Sequence, residues 1–119
     1  MNKDIPKFQK AGAIRVAAAA LADARKFAGA VASRQTGPSV VCFFWYASMS
    51  ITDPETGAAT HYGPGLNVGT LLESEVPKEA ICETDGFRYA IQVPDNVVEA
   101  AAEKIIELNP VRPPHIRLV

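Results

Sequence analysis

The chain has 119 residues, 48% of them apolar, with 12 basic and 13 acidic side chains and a net charge of −1. That length suits one domain around one core, and that balance is ordinary for a globular protein, neither disordered nor collagen-like. The longest uncharged apolar run, 40–47, is far shorter than the roughly 20 residues a membrane-crossing helix needs. Membrane insertion as a helix is excluded, and the cytoplasm is the expected location.

The net charge hides an asymmetry. Up to Arg34 there are seven basic residues against two acidic ones, a net of +5, and after it five against eleven, a net of −6. Opposite halves of this kind attract one another within a subunit or between subunits. Nucleic acid is not favoured as a partner, because the basic part carries only Phe8 and Phe27 as aromatics and no recognition module.

In chain order, positions 1–36 are expected to form one long helix. Asp4 caps it, Pro6 occupies its first turn, eleven alanines fall between Ala11 and Ala32, and Gly37-Pro38 stops it. Such a helix, about 28 residues, is roughly 42 Å long at 1.5 Å per residue. A domain of this size has a radius of gyration of only about 13 to 14 Å, so the helix either overhangs its own domain or breaks, at Gly12 or Gly29. Val16, Ala20, Ala24 and Phe27 share one side and are the expected interface of a homo-oligomer, since alanine gains most where two backbones approach closely.

The period changes at Ser39. Positions 40–46 are β-branched and aromatic, which predicts a strand buried on both faces. Phe43, Trp45 and Tyr46 read as core rather than as a cofactor cradle. From Ala47 the pattern alternates, with Ala47, Met49 and Ile51 on one side and Ser48, Ser50 and Thr52 on the other. Asp53-Pro54-Glu55-Thr56-Gly57 has turn chemistry, and return strands follow over 58–62 and 66–73. An acidic connection interrupted by Pro77 leads to Thr84-Asp85-Gly86-Phe87, whose Asp-Gly pair predicts a type I′ hairpin. Its register pairs Thr84 with Phe87, Glu83 with Arg88, Cys82 with Tyr89 and Ile81 with Ala90. A second helix is expected over 95–109, with Val98, Ala101, Ala102, Ile105 and Leu108 inward, and a strand over 103–108 is the alternative ending. Positions 110–119 form an extended tail in which His115 and the residues after it supply an edge strand.

The fold class expected is therefore α+β: one domain over 1–119, a long N-terminal helix packed on a mostly antiparallel sheet spanning 39–94, and a second helix after the β-hairpin.

Chemistry is sparse. The glycine-rich loop 61–69 is the best ligand site, and His61, Tyr62, Gly63, Gly65 and Asn67 are its candidate residues, because glycines let a ligand reach the backbone and histidine titrates near neutrality. Its spacing matches neither a P-loop nor a dinucleotide fingerprint. Cys42, His61, Cys82 and His115 are too scattered for a metal site, and both cysteines read as buried hydrophobes. Ser48 and Ser50 lack a nucleophile elbow, and Asp53 with Glu55 is explained by the turn. No catalytic residue, metal or cofactor is assigned.

The order from Gly65 through the Asp85-Gly86 hairpin to Val93-Pro94 and a short helix is similar to that of HesB-like iron–sulfur assembly domains, over about a third of the chain. Those domains carry three cluster-binding cysteines. Here Gly63-Pro64-Gly65 stands where the first is expected and the tail has none, so the resemblance implies a fold without its cluster. The leading expectation is a non-catalytic, self-associating binding or structural module, open to a protein partner. The alternative is a ligand-binding protein or enzyme using the 61–69 loop.

Overall fold

A computed structural model describes residues 5–31, 38–46, 49–62, 65–108 and 116–119. The Asp4 cap, the Gly37 stop, Ala47, Ser48, Gly63-Pro64, Asn109-Pro110, Pro113-Pro114 and His115 lie outside them. The architecture is mixed α and β. In chain order it runs β1 (Pro6–Phe8), β2 (Arg15–Val16), α1 (Ala18–Val31), β3 (Ser39–Tyr46), β4 (Met49–Thr52), β5 (Ala59–Tyr62), β6 (Gly65–Leu72), β7 (Cys82–Thr84), β8 (Phe87–Pro94), α2 (Asp95–Ala100), β9 (Ile105–Leu108) and β10 (Ile116–Leu118).

The expected long helix is corrected. It is confined to the 14 residues of α1, about 21 Å at 1.5 Å per residue. Two features cut it short. Gly12 takes a φ of +91°, a left-handed value that suits glycine and ends regular structure. Beyond it, Arg15 and Val16 pair in parallel with Ile105 and Ile106, and the Arg15 and Ala17 amides donate to the carbonyls of Lys104 and Ile106. Ahead of Gly12, β1 lies antiparallel on the end of β8, Pro6 opposite Pro94, at a sheet edge where a missing N–H is tolerated.

The main sheet has the order β1-β8-β3-β6, with β7 pairing the start of β8. The strands β1 and β7 thus share one edge of β8, end to end. Most pairings are antiparallel, as expected, but β3 and β8 are parallel neighbours. A three-stranded sheet, β10-β9-β2, packs with α1 against one face. The core there joins Val41, Phe43, Leu66, Tyr89, Ile91 and Val93 of the main sheet to Ile14, Ala20, Ala24, Ile106 and Ile116. Phe43 and Tyr89 meet edge to face at 5.9 Å between centroids, a favoured aromatic geometry. Two 3-10 turns, Glu73–Glu75 and Lys78–Ala80, cover part of the opposite face, where Val76 and Ala80 pack on Val40 and Ala90.

The expected oligomer face of the helix is in large part occupied within the chain. Ala20 and Ala24 are each only 1% exposed and lie in the chain's own core. Val16 belongs to β2, packed against that core, and Phe27 is half-buried. The close approach that alanine permits is made to the protein's own sheets.

The hairpin register holds as expected at Thr84–Phe87, Glu83–Arg88 and Cys82–Tyr89, with Asp85 and Gly86 both at positive φ, as a type I′ turn requires. Across the sheet Arg88 forms an ion pair with Glu73 rather than with Glu83. The second helix is shorter than expected. It ends at Ala100, and Lys104 takes a φ of +51°. The segment Ile105–Leu108 is a strand because β2 and β10 flank it and supply the backbone partners. The tail strand is found as Ile116–Leu118.

Candidate functional site

One register governs the middle of the chain. The strand β3 pairs with β6 from Ser39–Leu72 to Tyr46–Gly65, and β4 pairs with β5 from Met49–Tyr62 to Thr52–Ala59. In every pair the two residue numbers have the same sum, so β4 and β5 keep the register of β3 and β6 while forming a separate two-stranded sheet. The turn between β4 and β5 is built as the sequence indicates: the Asp53 carboxylate accepts from the Glu55 amide at 2.8 Å, and Gly57 exits at a φ of +73°.

The inner pair, β3 and β6, is core. The outer pair, β4 and β5 with their turn, is exposed at every residue from Ser50 to His61, and Ile51 is 55% exposed. A two-stranded ribbon in water is marginal unless something covers it.

Of the expected loop residues, Gly65 and Asn67 share one face of β6, whereas His61 lies on β5 in the separate sheet with β4. Tyr62 pairs with Met49, and Gly63 is outside the described residues. His61 Nδ1 lies 2.5 Å from Ser50 Oγ, its cross-strand partner. Nucleophilic catalysis by such a pair requires a third group to orient the imidazole and donors for an oxyanion. Among the described residues nothing holds the second ring nitrogen of His61, and the pair is solvated, so it serves as a polar cross-strand contact.

Residues not anticipated complete the face. Phe44 has Asn67 as its partner on one side and Gln92 on the other, and Gln92 is in turn opposite Phe8. The row Asn67–Phe44–Gln92–Phe8 crosses four strands. Its members are far apart in sequence, and only the parallel neighbouring of β3 and β8, which no local signal announces, brings them together.

A cleft of about 600 Å³ lies elsewhere, between the Gly12 turn and β7, lined by Gly12, Arg15, Cys82, Glu83 and Tyr89 among others. Burial, and secondarily the adjacent Cys82, raise the Tyr89 phenol above its ordinary pKa. The cleft is wide open and its two charged side chains are exposed.

The two cysteines lie on opposite faces of the main sheet. Cys82 packs beside Tyr89 on the α1 side, whereas Cys42 pairs with Ala90 of the other face. Both are free thiols. They are unable to share a metal or a disulfide, and among the described residues no cluster of three ligating side chains occurs; the residues present do not fit an iron–sulfur cluster. Burial pushes the Cys42 thiol up to about 11, partly offset by a hydrogen bond with the Gln92 backbone. At pH 8 its thiolate fraction is therefore on the order of one in a thousand. Brief iodoacetamide treatment of the native protein at that pH is expected to leave Cys42 unmodified and to label Cys82 first, with Cys42 labelled only in denaturant; peptide mass mapping checks this.

Comparison with protein-family models, with curated proteins and with solved structures gives no match for this chain. Among the described residues no helix is long and apolar enough to cross a membrane.

Proposed function

We propose that the chain is a non-catalytic binding module that self-associates through the exposed hairpin of β4 and β5. The observation that carries this reading is the exposure of Ile51 on a ribbon covered by no other part of the described chain. A large apolar side chain on an exposed ribbon gains most when a second surface removes it from water, about 25 cal/mol per Å² of apolar area buried. The alanine-rich helix has no part in this contact.

Native mass spectrometry, with light scattering at micromolar concentration, tests the proposal. The wild type is expected to be a dimer or larger, and Ile51→Asp to be a monomer with unchanged far-ultraviolet circular dichroism. A monomeric wild type, or an Ile51→Asp variant that stays assembled, overturns it.

A second reading, that the neighbouring pair β3 and β6 holds a ligand, is favoured by Gly65 and Asn67 lying on one face of β6 opposite the half-buried rings of Tyr46 and Phe44.

A further inference from the structure

The face bearing Asn67, Phe44 and Gln92 is only partly covered by the described residues. Near Val40 and Ala90 the 3-10 turns close it, but Phe44 and Tyr46 belong to neither core cluster and stay half-exposed. Both rings lean over glycine. A Cβ at Gly69 would stand 3.1 Å from Phe44, and one at Gly65 would stand 3.2 Å from the Tyr46 hydroxyl. Glycine at these two positions lets the rings lie down on the neighbouring strand with one side turned outward. Two residues apart on one strand, the rings are spaced about 7 Å.

The groups around the rings are uncharged. Asn67 Oδ1 accepts from the Val68 amide at 2.8 Å, which fixes the side chain and leaves its NH₂ to donate outward. Gln92, half-buried on the other side of Phe44, offers both a donor and an acceptor. Positions 35–77 contain no lysine or arginine, and the acids of the hairpin are confined to its turn, at Asp53 and Glu55.

We infer that this face docks a neutral glycan chain, an inference that rests on the ligand-holding reading of β3 and β6. An aromatic face attracts the positively polarised C–H side of a sugar ring. Primary amides match hydroxyls, which both donate and accept. The match is one of charge: a nucleic acid needs its phosphates neutralised, and among the described strand residues the cation on this face is Arg88, which Glu73 already pairs. A flat face also suits an extended polymer better than a compact metabolite, which needs a concave site.

Titration of the ¹⁵N-labelled full chain with cellohexaose, chitohexaose and maltohexaose, followed by amide chemical shifts, tests this. At least one of the three is expected to shift the amides of Phe44, Tyr46, Asn67 and Gln92 at millimolar concentration or below. Phe44→Leu keeps an apolar side chain but removes the ring, and Asn67→Ala changes an exposed side chain. Each is expected to weaken binding about tenfold, while Ile51→Asp leaves it unchanged. If a proline-rich decapeptide or oligo-dT shifts these amides and no sugar does, the glycan assignment fails and the ligand-holding reading survives. If none of the probes shifts them, both fail.

Discussion

Replacing Ala24 with glutamate is expected to unfold the protein or to cost more than about 3 kcal/mol of stability, because it forces a carboxylate and extra methylenes into a closed core. Ala24 is 1% exposed and sits in the core cluster together with Ile106, Ile116 and Phe43. Glutamate there has no described cationic partner, and an unpaired buried charge is among the most destabilising single changes. The reading of α1 as an oligomer face predicts the opposite, release of a partner with the sheet intact. Ala22→Glu is the control. Ala22 is exposed on the same helix, so its change is expected to stay within about 0.5 kcal/mol. Thermal melts by circular dichroism separate the two variants. An Ala24→Glu protein that melts like the wild type would place α1 away from the sheets.

Phe43→Ala is the second large effect. Phe43 is 0% exposed on the central strand β3, between β6 and β8, and it contacts the Tyr89 ring. Its removal deletes a full aromatic side chain and leaves a void that rigid sheet neighbours cannot close, which costs about 3 to 5 kcal/mol. Typical domains hold only about 5 to 15 kcal/mol in total. Urea unfolding is expected to show a large fall in midpoint with the slope unchanged. A loss below about 1 kcal/mol would mean that β3 is not the centre of a packed sheet.

Elements specified by adjacent residues were legible in the sequence. The Asp85-Gly86 turn fixes its own register through positive φ at both positions, and 40–46 declares a buried strand by composition alone. Where a distant partner decides, local pattern misleads. The alanines after Gly12 read as one helix, yet Arg15 and Val16 are strand because Ile105 and Ile106 lie beside them. In the same way Ala101, Ala102 and Glu103 favour helix, but the flanking strands claim Ile105–Leu108.

The candidate site divides similarly. His61, Gly65 and Asn67 stand out as a glycine-rich stretch. Phe44 was read only as part of a buried strand, and Gln92 had no signal at all, because sheet order is a property of the whole chain. The alanine stripe was correctly identified as a close-packing surface, but the surface it packs on belongs to the same molecule.

The pairing of β1 with β8 and of β2 with β9 joins residues some ninety positions apart, and this bears on biosynthesis. While the polypeptide is still being made, its amino-terminal third has no lasting partners. Ile14 waits for Ile106 and Ile116, which are synthesised some ninety to a hundred residues later. Consolidation of the early segments therefore waits until those distant partners have been made, in the slow regime of non-local topologies. During that interval the alanine-rich segment and the uncharged strands are open to chaperones and to mispairing with other nascent copies.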